Sequence, residues 1–214
     1  AMIEADAIAI HLNFLQEAIQ PEGDHDATGC YDALARFCSE SPVPVIVKET
    51  GTGISGETAE ACWGAGVQAI DIGGWGGTSW AAIEAFRAER SGEEKGPALV
   101  ALGTLFQEWG IPTVVSLVEV VRTGGPVIAT GGIRTGVDMA KALALGASLC
   151  GLALPLLRPA MESEEALFAR IEELHRELQT AMFLCGAAKT GDMKRTRMYI
   201  TGKTREMIGQ IRGG

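Results

Sequence analysis

The chain is short of basic charge, of aromatic residues, of paired cysteines and of long apolar runs. Eighteen Lys and Arg against 27 Asp and Glu leave a formal net charge of −9. That balance argues against a general nucleic-acid binder, which carries a basic patch. Five cysteines stand at 30, 38, 62, 150 and 185 without a Cys-x-x-Cys pair. Neither a zinc site nor a disulfide framework is indicated, and free thiols in a reducing cytoplasm are the better reading. No apolar run reaches the ~20 residues of a membrane span, and no signal peptide leads the sequence. What is present is 47% hydrophobic residues over 214 positions, enough for one sizeable core and a single domain, 1–214. Twenty-eight glycines suit an α/β chain with many tight strand–helix turns.

Short runs rich in Val, Ile or Ala alternate with helical periodicity. Strands are expected near 5–11, 43–48, 67–72, 126–130 and 148–153. Most are apolar throughout, as parallel strands buried on both faces require. Helices are expected near 28–40, 56–65, 79–90, 114–123, 136–145 and 163–184. In the first, Tyr31, Leu34 and Phe37 form the apolar side; in the last, Ser163 is the N-cap and Leu167, Ile171, Leu174 and Leu178 the stripe. Segment 91–97 reads as a polar loop, and the tail after Gly186 as basic and irregular. A closed (β/α)8 barrel needs eight β/α units, and only five are found. Either the sheet is open and doubly wound, or the chain is the C-terminal part of a barrel whose first strands are missing.

Four motifs stand at strand ends. The first, His11-Leu12-Asn13-Phe14-Leu15-Gln16-Glu17, gathers an imidazole, two amides and a carboxylate. Alternation places His11 and Asn13 on one face, and Glu17 is a carboxylate of the kind Mg2+ takes. The second is Lys48, with glycines at 51, 53 and 56 behind it, so that a loop can approach a ligand closely. The third, Asp71-Ile72-Gly73-Gly74-Trp75-Gly76-Gly77-Thr78-Ser79-Trp80, is too glycine-rich to pack a core and reads as a ligand-wrapping loop. The fourth, Thr130-Gly131-Gly132-Ile133-Arg134, joins a strand to a helix N-terminus, where N–H groups and the dipole favour an anion. In a barrel, the loops after strands 7 and 8 commonly bind phosphate. These two loops should therefore lie together, with Ala153 and Leu154 supplying the second.

In this order the motifs resemble the type 2, FMN-dependent isopentenyl diphosphate isomerases, over essentially the whole chain. His11-Leu12-Asn13-x-Leu15-Gln16-Glu17 is the selective match; Gly131-Gly132-Ile133-Arg134 is shared by many FMN barrels. The resemblance implies a (β/α)8 TIM barrel of which this chain holds strands 4 to 8. It implies that Lys48, Gly73, Thr78, Gly131, Gly132, Ile133, Arg134, Ala153 and Leu154 contact FMN. Gln16 would stand beside the substrate double bond, with His11, Asn13 and Trp80 on the substrate side. Glu17 would bind Mg2+. Gly73 departs from the serine of many relatives. The reaction implied converts isopentenyl to dimethylallyl diphosphate, with reduced FMN as acid–base catalyst and NADPH only as its reductant. A cytoplasmic homo-oligomer, tetramer or octamer, is implied as well. Two rivals remain. An FMN-dependent 2-hydroxyacid oxidase or dehydrogenase would need a catalytic His and nearby Arg after Asp71, and the loop has neither. A non-catalytic flavin-binding fragment is the other, because part of the pocket would be absent.

Overall fold

The computed structural model describes residues 4–91 and 96–211. Five parallel strands form one sheet in the order β1 (Ile8–His11), β2 (Val45–Lys48), β3 (Ala69–Asp71), β4 (Val127–Ala129) and β5 (Leu149–Cys150). Sequential order without reversal is that of a barrel sector. A doubly wound sheet reverses at a switch point, and none is present here. The fold is thus a partial (β/α)8 barrel covering the later strands, and the open doubly wound alternative is set aside. Among the described residues β1 and β5 are the outer strands, each paired on one side only. A closed barrel has no such edges.

Alternation explains which side chains serve the core and which serve the site. Val45, Val47, Ile70, Val127 and Ala129 are wholly buried beneath the helices, against Ala59 and Cys62 of α3 (Gly56–Gly64) and Leu117 and Val120 of α6 (Thr113–Arg122). The intervening residues Ile46, Lys48, Asp71 and Ile128 point to the opposite, inner face. Lys48 and Asp71 are register partners, so two charged groups emerge side by side at the carboxyl ends.

The remaining elements are α1 (Phe14–Ile19), α2 (Cys30–Glu40), α4 (Trp80–Ser91), α5 (Gly96–Leu105), α7 (Gly136–Ala144), α8 (Leu154–Glu162), α9 (Glu164–Leu184), a 3-10 turn at Thr190–Arg195 and α10 (Gly202–Ile208). Ser163 caps α9 as expected, accepting from the Ala166 N–H at 3.0 Å. Several expectations need correction. Strand β5 is shorter than 148–153, because the chain turns after Cys150 to begin α8, with Pro155 in its first turn. In α2 only Leu34 is buried; Tyr31 and Phe37 remain exposed. Of the segment read as a polar loop, Ser91 closes α4, Gly96 and Pro97 open α5, and 92–95 lie outside the described residues. The tail is not irregular throughout, since it forms the 3-10 turn and α10. Helix α5 packs tightly on α4: a Cβ at Gly103 would meet the Ala81 carbonyl oxygen at 2.6 Å.

Candidate active site

The carboxyl ends of β2 to β5 open into a cleft of about 370 Å3. Ten of the residues singled out from sequence line it: Lys48, Gly73, Thr78, Trp80, Gly131, Gly132, Ile133, Arg134, Ala153 and Leu154. Two glycine-rich loops make its floor. Gly131 and Gly132 hold φ of 105° and 79°, and a Cβ on either would lie 2.1 or 2.0 Å from the carbonyl oxygens of Gly74 and Gly76. Only glycine allows that approach. Thr113 Oγ1 donates to the Gly131 carbonyl at 2.7 Å, and Arg134 reaches back to the Gly132 carbonyl at 3.1 Å. Thr130 Oγ1 donates to Asp71 and accepts from the Gly73 N–H at 2.9 Å.

Not every N–H at the α7 terminus is available. Partial burial pushes the Asp138 carboxyl up, but Thr135, the Arg134 N–H and Lys141 outweigh it and hold it below its usual range. Its Oδ2 therefore occupies the N–H groups of Arg134 and Thr135. Among the described residues, the N–H groups of Gly132, Ile133, Ala153 and Leu154 donate to no oxygen of the chain. Two strand-end loops on adjacent strands thus present four free donors to one cleft, the arrangement an anion requires.

The loop after β2 is organised by a buried carboxylate. Burial raises the Glu49 pKa, while hydrogen bonds from Thr52 and the Gly53 N–H oppose the rise. The N–H groups of Gly51 and Gly53 both donate to the Gly73 carbonyl, at 2.6 and 3.1 Å. Thr50 is thereby fixed where it touches Lys48 Nζ at 2.6 Å and His11 Nε2 at 2.7 Å. His11 lies beside the cleft rather than in its wall. Burial and then Lys48 lower its pKa, with Glu17 opposing.

A second, much smaller cavity adjoins the cleft and is lined by Asn13, Gln16, Thr50, Trp80 and Trp109. Asn13 donates to Gln16 Oε1, and Gln16 Nε2 donates to Glu84 Oε1 at 2.9 Å. Glu84, only 4% exposed, is a residue the motif reading missed. Its signal was present, since Glu84 shares the buried face of α4 with Ala81, Ala85 and Ala88. Glu17 is not in either cavity. Its Oε2 accepts from Gln20 and from the Asp24 N–H, and Oε1 accepts no hydrogen bond among the described residues. No group of three His, Cys, Asp or Glu suited to a metal occurs among the described residues.

The fold and cleft define a class: a partial barrel whose strand-end loops offer unengaged N–H donors to a cleft at the carboxyl ends of its strands. The chain belongs to the FMN-dependent dehydrogenase family, whose profile matches residues 10–200. It is similar to the isopentenyl-diphosphate delta-isomerase of Methanoregula boonei, 68% identical over 207 residues, covering 97% of this chain and 57% of that relative. The enzyme of the same name from Methanosarcina barkeri is 54% identical over 209 residues, covering 98% of this chain and 56% of the relative. The chain thus spans somewhat over half the length of these curated relatives. Among solved structures, a mandelate oxidase variant with benzaldehyde aligns with a TM-score of 0.58 at 23% identity, over 79% of this chain and 43% of that one. That likeness concerns the fold alone. No helix among the described residues is long and apolar enough to cross a membrane.

Proposed function

We propose that the chain forms the flavin-facing part of an isopentenyl-diphosphate delta-isomerase, converting isopentenyl to dimethylallyl diphosphate. The observation that carries this reading is the 68% identity to the Methanoregula boonei isomerase across a segment containing the whole cleft. FMN fits what is present. The free N–H groups of Gly132, Ile133, Ala153 and Leu154 would hold its phosphate, and Lys48 and Thr78 would meet it further along the cleft. When bound, reduced FMN supplies the acid–base chemistry, with NADPH as its reductant.

The chain's own residues bind and position. The reaction moves a double bond without net redox change, so its steps are protons gained and lost at carbon. Gln16, held between Asn13 and Glu84, would present its amide to the substrate from the polar wall beside the cleft. Trp80, which lines both cavities, supplies an apolar wall between them. Glu84 is a buried carboxylate that accepts from both Gln16 and Arg87, and so anchors the Gln16 amide. His11 and Asn13 face the diphosphate. Mg2+ takes one or two carboxylates and completes its shell with substrate phosphate and water. The unengaged Oε1 of Glu17 fits that demand. We place the protein in the cytoplasm as a homo-oligomer, tetramer or octamer. Exposed Leu157, Met161 and Phe168 on α8 and α9 offer apolar surface for subunit contact.

The open sheet favours one second reading, in which the 214-residue chain alone holds flavin without turnover. A single assay separates the readings. The chain alone, and the chain joined to the remaining portion of the Methanoregula boonei relative, are supplied with FMN, NADPH, Mg2+ and isopentenyl diphosphate. Dimethylallyl diphosphate from the joined protein supports the isomerase; flavin binding without product from the shorter one supports the second reading for that chain. Oxidation of a 2-hydroxyacid without isomerisation would overturn the proposal. In the active form, Glu17→Gln is expected to raise the Mg2+ concentration for half-maximal turnover by about tenfold or more, with FMN affinity unchanged. Parallel Mg2+ and flavin titrations check this, and an unaltered Mg2+ requirement would remove Glu17 from the metal site.

A further inference from the structure

Thr50 lines both the large cleft and the small cavity beside Gln16. It is also the only described residue whose side chain bonds both Lys48 and His11. Strands β1 and β2 pair His11 with Lys48 in register, and Thr50 follows Lys48 by two residues, so the three side chains converge. We propose that Thr50 is a positioning residue: its hydroxyl accepts from Lys48 and donates to His11 Nε2, fixing His11 as the Nδ1–H tautomer. That N–H is then the donor left for an anionic oxygen.

The argument is one of donors and acceptors. A lysine ammonium has three N–H donors and no lone pair, so at 2.6 Å it can only donate to Thr50 Oγ1. The Thr50 hydroxyl has one hydrogen of its own, and His11 Nε2 at 2.7 Å is the acceptor within reach. A neutral imidazole has one N–H and one lone pair, so a donor on Nε2 leaves the proton on Nδ1. Neutral His11 is also what its surroundings favour. Burial and the Lys48 charge lower its pKa and outweigh Glu17. The geometry does not depend on a mobile loop, because Glu49 and the Gly73 carbonyl pin residues 51–53 on either side of the site. Threonine is suited to the task, since its branched Cβ restricts χ1 and holds the hydroxyl in place.

The role as diphosphate donor rests on the isomerase reading; the tautomer does not. The test is therefore made on the 214-residue chain without FMN or substrate. Nitrogen-15 spectra of labelled histidine at pH 8 report which ring nitrogen carries the proton, with His11→Asn assigning the signal. The wild type and Thr50→Ser are expected to show His11 as Nδ1–H. In Thr50→Val, which removes the hydroxyl but keeps the shape, the tautomer ratio is expected to shift toward Nε2–H by about tenfold, the effect of one neutral hydrogen bond. An Nε2–H tautomer in the wild type, or an unchanged ratio in Thr50→Val, would overturn the proposal. Should Thr50→Val not fold, the wild-type and Thr50→Ser spectra still decide it. Loss of isomerase activity in the joined protein would bear on the functional reading and leave these spectra unaffected.

Discussion

Gly132→Ala is expected to weaken FMN binding by about a hundredfold, with both local and long-range causes. At φ of 79° an L-residue is strained by about 1 kcal/mol. Its Cβ would lie 2.0 Å from the Gly76 carbonyl oxygen, which is backbone and cannot rotate away. One of the two glycine loops must therefore move, carrying the N–H groups of Gly132 and Ile133 out of line. A hydrogen bond to a charged group is worth about 1.5–3 kcal/mol, so misaligning two of them loses at least the ~2.8 kcal/mol that a hundredfold represents. Gly64→Ala is the control, because no atom lies within 4 Å of its added Cβ. Flavin fluorescence titration of both variants provides the check. Wild-type affinity in Gly132→Ala would mean that the Gly131–Gly132 turn does not grip the phosphate.

The convergence of the two strand-end loops on one cleft was legible because their geometry is local. A glycine pair between an apolar strand and a capped helix states its own backbone geometry, and Ala153 and Leu154 reach the same cleft because β4 and β5 are neighbours. The parallel strands were legible for a similar reason, since Val45, Val47 and Val127 can be buried only with helices above them. Helix α5 was not legible. Its sequence, GPALVALGTL, is apolar on all sides and has no helical periodicity to read. It is set by packing, with Gly103 pressed against α4. Thr50 and Glu84 escaped for another reason. Each acts through a residue distant in sequence, Thr50 on His11 and Glu84 on Gln16, and no spacing rule brings such partners together. The family resemblance implies that Arg134 contacts FMN, and its N–H is one of the donors at the α7 terminus. The Asp138 capping box, itself a sequence-local device, takes that donor instead.

In the active isomerase, Gln16→Ala is expected to lower turnover by about a hundredfold or more while leaving the flavin spectrum and FMN affinity nearly unchanged. A misplacement of the substrate by about 1 Å can cost about 10² in rate, and the Gln16 amide is the group assigned to position it. That amide spans from Asn13 to Glu84, with the Glu84 contact at 2.9 Å. Without it, Glu84 keeps Arg87 at 3.2 Å as its partner, and the polar amide between Asn13 and Glu84 is gone from the wall of the small cavity. The separation from flavin follows from where Gln16 stands, in the wall of the small cavity and not of the cleft. Glu84→Gln keeps the side-chain shape but removes the charge that accepts from both Gln16 and Arg87, so the Gln16 amide is held less firmly and turnover should fall by a similar factor with the cavity intact. Gln16→Ala and Glu84→Gln combined should cost little more than either alone, because both remove the same bridge. Stopped-time product assays and flavin titrations on the two single variants and the double variant measure all three quantities. Losses that multiply in the double variant would show that Gln16 and Glu84 act separately, and flavin loss with normal turnover on re-addition would move Gln16 to the cofactor side.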